Sequence, residues 1–502
     1  MSRRHLLAGG AAALAGVGVR PALASELQAL FDASQRAIQQ LRLILGDGLY
    51  LPADDGFGLK AQVNNLRYIA DLPHAIAVCP SPVIAANVVD WCRDNQVVFR
   101  IKGGGHSYAG FSAGPVLIIY TQGMDAISVP APGLVKVGAG AINYMLYDQL
   151  ELLGQTLTHG RCPMVGAAGF VLGGGIGFDM RRFGMACDML EETSIVLASG
   201  QEVTASATEH PDLFWALRGG AGGNFGLSTG FTFRTVDVSD QVLTVFDRTW
   251  QTPDQERMAL LLYEMMAVFQ ADDSGLLGSR MSVQYTRPPW DPEGEPGFAL
   301  NLVGQWAGEE RQIREILQAL DVILPVSAVR AQFTGPYWAA QHLLEEPDEA
   351  YFYQERSTFV ADTPSPEVLY QALDHLRARP PVHGPCDMRF FQTGGAVNAV
   401  APDQTAFVHR DSQWLPLVGY YWTARDQRDP GLIARGHAWQ DAFYAFMLQA
   451  FPGTGAFQNF PDPSLQDWQT AYYGQNLERL RQVKAAYDPQ FLFDFPQAIP
   501  PA

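Results

Sequence analysis

Charged residues are scarce in this chain of 502 residues, and the positive ones are the scarcer kind. Only 17% of the residues are charged, and 34 Lys and Arg oppose 52 Asp and Glu, which gives a formal net charge of −18. An acidic surface repels nucleic acids and anionic lipids, so we expect neither as a partner. With 47% hydrophobic residues, the composition is typical of a globular enzyme with a large core.

Several signatures of common cofactor and metal sites are also missing. The chain has no Gly-x-x-x-x-Gly-Lys-Ser/Thr loop and no His-Glu-x-x-His helix, and its 10 histidines are scattered, so no metal site is predicted. Gly173-Gly-Gly-Ile-Gly lacks the Gly-x-Gly-x-x-Gly register, which argues against a Rossmann-type dinucleotide fold. The sequence shows neither heptads nor an internal repeat of solenoid period.

The apolar run near the N-terminus is too short to span a membrane. It follows Arg3 and Arg4 in a segment of bacterial twin-arginine form, and Ala22-Leu-Ala then offers a small-x-small cleavage site before Ser25. We therefore expect residues 1–24 to be a signal peptide that exports the protein, without a membrane anchor, to the periplasm or out of the cell. A disordered terminus and an uncleaved anchor are the alternatives.

Cysteine is rare, with 5 in the chain. An odd number in an exported protein means that one of them does not form an intramolecular disulfide. No spacing among them suits a zinc site, and the sequence leaves the pairing of Cys79, Cys92, Cys187 and Cys386 open. Cys162 stands apart because of the residues that surround it.

Glycine, by contrast, is abundant: the chain has 49, and many of them fall in a few dense segments. His106 lies in Arg-Ile-Lys-Gly-Gly-Gly-His-Ser-Tyr-Ala-Gly, and Cys162 lies in Gly-Arg-Cys-Pro-Met-Val-Gly. Glycine lets the backbone approach a flat ring or a pyrophosphate, because no Cβ intervenes. A histidine nitrogen and a cysteine sulfur can each bond to an electrophilic carbon of a flavin ring. We interpret the two side chains as covalent anchors of one flavin; a plain turn and a buried apolar thiol are the alternatives.

Three more segments continue this pattern: residues 166–188, residues 216–227 and, near the C-terminus, residues 472–489. The candidate cofactor-binding residues in these segments and the first two are Arg100, Gly103, Gly104, Gly105, His106, Ser107, Cys162, Gly166, Gly169, Gly173, Gly174, Gly175, Gly177, Asp188, Gly223, Asn224, Tyr473 and Asn476.

Together these segments resemble the vanillyl-alcohol-oxidase/p-cresol-methylhydroxylase superfamily of flavoproteins, and within it the berberine-bridge-enzyme-like branch. The resemblance runs from about Leu49 to Ile499 with the motifs in family order, and it is weaker between about Asp237 and Phe457. It implies bicovalent FAD, with an 8α-histidyl link at His106 and a 6-S-cysteinyl link at Cys162. A thioether at Cys162 would also account for the odd cysteine.

The order of the predicted elements indicates an α+β fold. Strands and helices alternate through the first 240 residues, which is typical of a nucleotide-binding domain. Between residues 241 and 456 the pattern predicts an antiparallel sheet covered by helices, which we assign to substrate binding. The resemblance implies that residues 457–502 return to the FAD-binding domain, residues 25–240, and close over the ring.

The sequence departs from the family at two positions that bear on catalysis. Many members carry tyrosines where this chain has Ile176 and Phe460, and those phenols are proposed to help remove the substrate's hydroxyl proton. Another base is therefore needed. Alternation along the predicted strand 415–422 places Tyr421 on one face with Leu415, Leu417 and Gly419, and the resemblance implies that this face is turned to the flavin.

The strand before it supplies the other candidate catalytic residues. Arg389 is expected to lower the pKa of Tyr421, and Gln392 is expected to orient the substrate. Asp387 is the rival base, and an ordinary core tyrosine is the alternative reading of Tyr421.

The resemblance also bears on the electron acceptor. In the family, the residue three positions after the flavin-linked cysteine governs oxygen access, and valine there goes with oxidases; here it is Val165. We expect a flavin oxidase that removes a hydride from a small-molecule alcohol or sugar and reduces molecular oxygen to hydrogen peroxide. A flavin-bearing binding or storage protein, and a dehydrogenase with another acceptor, are the alternatives. The sequence identifies neither the substrate nor the oligomeric state.

Overall fold

A computed structural model describes residues 34–288, 293–347, 349–451, 453 and 455–502. The predicted signal peptide, residues 1–24, and its cleavage site lie outside the described residues. Among the described helices, none combines the length and the apolar character that crossing a membrane requires.

The first sheet joins four strands: β1 (Leu49–Tyr50), β2 (Ala75–Val78), β3 (Phe99–Lys102) and β4 (Leu117–Tyr120). Their order is β1-β2-β4-β3; β4 runs parallel to β2 and β3, and β1 is antiparallel to β2. Because β3 ends at Lys102, it leads directly into the glycine segment that contains His106.

The next seven strands are β5 (Ile127–Ser128), β6 (Leu134–Gly138), β7 (Gln155–Thr156), β8 (Leu190–Val196), β9 (Glu202–Ser206), β10 (Leu227–Arg234) and β11 (Val236–Asp237). Five of them form an antiparallel sheet in the order β5-β6-β10-β8-β9, and β7 pairs with β11. The helices of this first part span residues 34–45, Phe57–Ala61, Pro82–Asn95, Asn143–Leu153, Ala167–Leu172, Met180–Phe183 and Pro211–Leu217.

A third sheet contains β12 (Val242–Thr252), β13 (Leu277–Thr286), β14 (Gly297–Trp306), β15 (Ala328–Pro336), β16 (Phe352–Ser357), β17 (Cys386–Gln392) and β18 (Trp414–Trp422). It is antiparallel throughout, in the order β15-β12-β14-β13-β17-β18-β16. The later helices span Gln255–Gln270, Glu310–Ile323, Tyr337–Gln341, Pro366–Arg377, Pro430–Ala450, Trp468–Tyr473 and Leu477–Tyr487.

Helices cover one face of the third sheet, and their apolar side chains supply its core. Met258 and Phe443 from two of these helices are fully buried in one cluster with Val418 and Tyr420 of β18. Leu415 of β18, by contrast, joins the core of the first part of the chain. The sheet therefore has a helix-covered face and a second face turned toward the glycine-rich loops.

The C-terminal segment packs against the first part of the chain. The ammonium of Lys484 is buried and donates to the carbonyl of Phe493 at 2.9 Å, and the side-chain oxygen of Asn224 accepts from the amide of Ile499 at 2.8 Å. The α+β class and the helix-covered antiparallel sheet are as predicted. The domain boundaries near residues 240 and 456 stay predictions.

The apolar periodicity and the terminal residues of the sequence predict helices over residues 82–95, 211–217 and 255–270, and the structure has all three with these bounds: Pro82–Asn95, Pro211–Leu217 and Gln255–Gln270. The first shows why, since Ser81 caps its N-terminus, accepting from the amide of Ile84, and Gln96 ends it in the left-handed conformation.

The sequence also predicts one long strand over residues 225–236, and this prediction was wrong in extent. The structure has two strands there, because β10 ends at Arg234 and β11 pairs with β7 instead of with the neighbours of β10. Strand β12 and the helix Pro430–Ala450 were not among the predicted segments.

Candidate functional site

A cavity of about 340 Å³ lies between the glycine-rich loops, the third sheet and the C-terminal segment. Its size suits a small-molecule site. The predicted residues that line it are Arg100, Gly103, Gly104, Gly105, His106, Ser107, Cys162, Val165, Gly166, Gly169, Gly177, Gly223, Asn224, Arg389, Gln392 and Tyr473.

The two loops that carry His106 and Cys162 touch through their backbones. A Cβ on Gly104 would lie 2.3 Å from the amide nitrogen of Gly166, and a Cβ on Gly166 would lie 2.3 Å from the amide nitrogen of Gly104. Only glycine allows this approach at both positions. The contact brings the two predicted anchor residues to one cavity, although 56 positions (162 − 106) separate them in sequence.

Each anchor loop is held in place by local contacts. The hydroxyl of Ser107 accepts from the amide of Phe111 at 3.0 Å. The thiol of Cys162 lies 3.7 Å from the carboxylate of Glu346, to which it donates, and the carbonyl of Cys162 accepts from the side-chain amide of Asn143 at 3.1 Å.

Other glycines leave the cavity wall open. A Cβ on Gly169 would meet no atom within 4 Å, and a Cβ on Gly103 or Gly223 would meet none closer than 3.6 Å. Two hydroxyls in the wall, Ser112 Oγ and Ser228 Oγ, are buried without a hydrogen-bond partner among the described residues. Because buried polar atoms are normally paired, these two indicate a polar ligand. An FAD fits these donors and open backbones.

Some predicted cofactor contacts lie outside the cavity lining. Gly173 packs against the side chain of Asn459, whereas Gly174 and Gly175 adopt left-handed backbone conformations in a turn packed on other side chains, among them Phe407 and Ala186.

Two polar candidates from the same prediction are engaged elsewhere. The carboxylate of Asp188 forms a two-pronged ion pair with the buried Arg410, with both distances 2.7 Å. The side-chain amide of Asn476 donates to the carbonyls of Pro402 and Thr405. In the structure, both residues therefore stabilise the protein around the site rather than line it.

Three of the predicted catalytic residues, Asp387, Arg389 and Tyr421, belong to one hydrogen-bonded network on the face of the third sheet opposite its helices. The guanidinium of Arg389 donates to Asp387 at 2.6 Å, to Glu355 at 2.8 Å and to the hydroxyl of Tyr421 at 2.8 Å. Tyr421 donates in turn to Glu355, and Ser282 donates to Asp387 at 3.0 Å. Arg389 lines the cavity, whereas Asp387 and Tyr421 do not.

The register of the strands explains this grouping. Asp387 is paired with Gly419, and a Cβ on Gly419 would lie 2.3 Å from the carboxylate of Asp387 and 2.9 Å from the ring of Tyr421. The alternation inferred from sequence thus places Tyr421 on the face that carries Asp387 and Arg389.

Arg389 acts on the pKa of Tyr421 in the expected, lowering direction, but other contributions outweigh it. Burial raises the pKa of Tyr421 well above its usual value, and the neighbouring carboxylates of Glu355 and Asp387 raise it further, against the lowering effect of Arg389. Burial also raises the pKa of Glu355, although Arg389 and the Tyr421 hydroxyl act in the opposite direction. The phenol is therefore neutral at physiological pH.

Gln392 is held at both ends of its amide. Its oxygen accepts from the hydroxyl of Ser279 at 2.8 Å, and its nitrogen donates to the carbonyl of Phe269 at 2.9 Å. Its predicted role in orienting the substrate would compete with these two bonds.

The two apolar replacements lie where the sequence placed them, in the cavity wall. Ile176 and Phe460 both line the cavity, and the ring of Phe460 stacks on Tyr108 with centroids 4.9 Å apart. Tyr108 is a lining phenol that the sequence analysis did not select, although it follows His106 by two positions. Burial holds its pKa well above the usual value.

Three charged residues of the site were also missed. Arg161 directly precedes Cys162, and Glu346 follows the helix Tyr337–Gln341; both line the cavity. Glu355 lies on β16. Arg161 was inside a quoted motif, but nothing in the sequence pattern distinguished Glu346 or Glu355 from the other acidic residues. No cluster of potential metal ligands was found among the described residues.

Two families of known proteins match the chain where this cavity is built. The family described as FAD binding domain matches residues 73–206, and the family described as berberine and berberine like matches residues 456–500. The two matches cover the loops of His106 and Cys162 and the C-terminal segment that closes the cavity.

Individual relatives extend over nearly the whole chain. The FAD-linked oxidoreductase YgaK of Bacillus subtilis (strain 168) is 31% identical, covering 90% of this chain and 97% of its own length. The glucooligosaccharide oxidase of Sarocladium strictum is 29% identical over 94% of this chain and 96% of its own. A structure of the Acremonium strictum glucooligosaccharide oxidase, whose FAD is 6-S-cysteinyl and 8α-N1-histidyl, shares the fold with a TM-score of 0.80, at 24% identity over 92% of this chain and 99% of that one.

Proposed function

Because the chain belongs to the berberine-bridge-enzyme-like family of FAD-linked oxidoreductases, we propose that it is an exported carbohydrate oxidase. When bound, FAD accepts a hydride from the substrate carbon and passes the electrons to molecular oxygen, which becomes hydrogen peroxide. The observation that carries this proposal is the backbone contact at Gly104 and Gly166, since it places His106 and Cys162 in one cavity beside the polar face of a sheet.

We infer that His106 and Cys162 both hold the flavin covalently. The support is their common position in the cavity wall, together with the matching residue types named for the glucooligosaccharide oxidase flavin. Arg100, Ser107, Asn224 and Tyr473 line the remainder of the cavity. Ser112 and Ser228 add two buried hydroxyls without a partner among the described residues, which suit the polar parts of FAD.

The substrate hydroxyl must lose a proton as its carbon loses a hydride, and the Arg389 network supplies the acceptor. Tyr421 already donates to Glu355, whose raised pKa makes it a proton acceptor of useful strength. We propose that the substrate proton reaches the Tyr421 hydroxyl, which lies 2.8 Å from the cavity-lining Arg389, as the phenol releases its own proton to Glu355, so no free phenolate is needed. Asp387 is the rival acceptor, but it is held by Arg389 and Ser282.

A carbohydrate suits the side chains that line the cavity beside Arg389. The rings of Phe391 and Phe460 line it with their centroids 5.9 Å apart, and Tyr108 lines it beside Phe460. Aromatic faces beside a charged and hydroxyl-rich network match the apolar faces and the hydroxyls of a sugar. Relatives named as oxidases of gluco-, xylo- and chitooligosaccharides support the same substrate class.

The test is anaerobic bleaching of the flavin by a panel of cello-, xylo- and chitooligosaccharides, followed by admission of air. An oxidase is bleached by at least one sugar and regains its colour with one equivalent of hydrogen peroxide. Recovery without peroxide would contradict the oxidase and favour another acceptor. A flavin that none of the sugars bleaches would contradict carbohydrate oxidation and leave the binding or storage role that Ile176 and Phe460 suggest.

A further inference from the structure

The carboxylate of Glu346 is held beside the thiol of Cys162 by several contacts. The thiol donates to one carboxylate oxygen, Oε2, at 3.7 Å, while Arg161 forms an ion pair with the other, Oε1. The backbone amide of Glu346 also donates to the carbonyl of Arg161 at 3.1 Å. Because Cys162 and Glu346 both line the cavity, a segment 184 positions away along the chain presents one acidic side chain to the sulfur.

A covalent bond at Cys162 requires its sulfur to lose a proton. The thiolate, not the thiol, is the nucleophile, and an ordinary cysteine thiol, with a pKa of about 8.5, is mostly protonated at neutral pH. A carboxylate that already accepts the hydrogen bond of the thiol can take the proton while the sulfur reacts. Glu346 is in this position.

Arg161 stabilises the negative charge before and after such a transfer. Burial and repulsion from Arg280 lower the pKa of Arg161 to about 9, and a negative sulfur at Cys162 opposes this decrease. A proton that moves from the thiol to Glu346 shifts the negative charge from oxygen to sulfur, so the buried guanidinium keeps a negative partner throughout. Arg280, on β13, contacts the same Oε1 of Glu346 at 3.6 Å and leaves Oε2 to the thiol.

Other titratable groups near Cys162 are poorer proton acceptors. The phenols of Tyr108 and Tyr147 interact electrostatically with the sulfur, but burial raises the pKa of both, so they keep their own protons. His159 precedes Cys162 by three positions (162 − 159), and burial lowers its pKa. Its Nδ1 lies 2.9 Å from the carbonyl of Gly160, and its side chain does not line the cavity.

Resting on the proposed covalent attachment, we propose that Glu346 is the general base for the bond between Cys162 and the flavin. The thiol gives its proton to Glu346 as its sulfur bonds to C6 of the ring, and the hydrogen of the C6–H bond leaves as a proton. The two electrons of that broken bond reduce molecular oxygen, which takes up two protons and becomes hydrogen peroxide. Glu346 is 36% exposed, so it passes the accepted proton to water.

The experiment follows this bond in His106→Ala protein, where Cys162 is the remaining predicted anchor. Apoprotein from riboflavin-depleted cells is mixed with FAD in aerated buffer, and intact-protein mass spectrometry gives the fraction that carries FAD over time. Glu346→Gln should slow attachment about 100-fold at neutral pH. Because hydroxide must then remove the thiol proton, the rate in this variant should rise about tenfold per pH unit until the thiol itself ionises.

Two further variants separate the proton transfer from a structural effect. In Glu346→Ala, added acetate should restore the rate in proportion to its concentration, because it replaces the lost carboxylate. Glu345→Gln changes the neighbouring carboxylate, which pairs with His342 at 2.7 Å, and should leave the rate unchanged. The affinity for FAD, measured by titration without oxygen, should be the same in all of these proteins.

The outcomes distinguish this base from the attachment and from the oxidase. An unchanged rate in Glu346→Gln, or a slow rate that neither high pH nor acetate restores, would refute the base. If His106→Ala with Glu346 intact attaches no flavin, the anchor at Cys162 is wrong and the base is refuted with it. A loss that high pH and acetate both reverse supports the base, even if no sugar bleaches the flavin of the unsubstituted protein.

Discussion

At the scale of single residues, the hydroxyl of Tyr421 and its partner Glu355 carry the proton step. Tyr421→Phe should lower the anaerobic rate of flavin reduction about a hundredfold, because it removes the group that passes the proton on. In the unsubstituted protein this rate should rise with pH through the raised pKa of Glu355, since the carboxylate accepts a proton only when ionised. In Tyr421→Phe that rise should vanish.

Stopped-flow absorbance of the flavin at a series of pH values provides the measurement. Asp387→Asn is the matched comparison, because it alters the other carboxylate held by Arg389. If the rate and its pH profile survive in Tyr421→Phe but collapse in Asp387→Asn, Asp387 is the base and the route through Tyr421 is refuted.

Val165 lines the cavity three residues after Cys162, where a short branched side chain leaves room for oxygen. Val165→Leu should slow reoxidation of the reduced flavin by oxygen about tenfold or more, while its anaerobic reduction by sugar stays nearly unchanged, as expected when only the oxidative half-reaction is gated. Both rates come from one stopped-flow experiment with separate anaerobic and aerated mixing. Equal rates of flavin reoxidation by oxygen in the unsubstituted protein and in Val165→Leu would refute the role of Val165 in oxygen access.

A further prediction at this scale concerns the two anchor side chains, His106 and Cys162. His106→Ala and Cys162→Ala should each keep covalent flavin through the remaining bond, and only the double variant should release it. Acid precipitation followed by flavin fluorescence of the washed pellet measures this directly. Complete loss of covalent flavin in one single variant would mean that only the residue changed in that variant attaches the flavin.

At the scale of elements, the two anchor loops depend on their contact at Gly104 and Gly166. In Gly104→Ala, the new methyl group would lie 2.3 Å from backbone nitrogen, so the loops must separate. We expect a loss of about 1–3 kcal/mol in the free energy of unfolding, as for other overpacked sites, and much less bicovalent flavin. Denaturant unfolding and pellet fluorescence measure the two effects.

The control for this change is Gly58→Ala in the helix Phe57–Ala61, where a Cβ would meet nothing within 4 Å. It should leave flavin attachment unchanged. Normal stability and full flavinylation of Gly104→Ala would mean that the loop contact does not set the position of the anchors.

At the scale of the whole molecule, the proposed export route depends both on the N-terminal segment and on the folding of the rest of the protein. The twin-arginine route carries folded proteins, which suits an enzyme that acquires FAD before export. Arg3→Lys combined with Arg4→Lys should retain the protein in the cytoplasm with its flavin attached, and the exported form should begin at Ser25. Cell fractionation, flavin fluorescence and N-terminal sequencing check this, and normal export of the paired variant would contradict it.

Local sequence determined much of this protein. The helix Pro82–Asn95 follows from a serine cap and a proline at its first position. The clusters of glycine marked the loops that line the cavity, because glycine allows the backbone to approach closely. The alternation along β18 placed Tyr421 on its face, because neighbouring side chains of a strand point to opposite sides.

Tertiary structure decided what local pattern does not encode. Glu355 is 66 positions from Tyr421 (421 − 355), and Glu346 is 184 positions from Cys162 (346 − 162), so only strand pairing and loop packing bring each pair together. The raised pKa of Tyr421 depends on burial and on the charges of distant segments. These long-range electrostatic effects have no periodic signal in the sequence, because they arise only when the chain has folded.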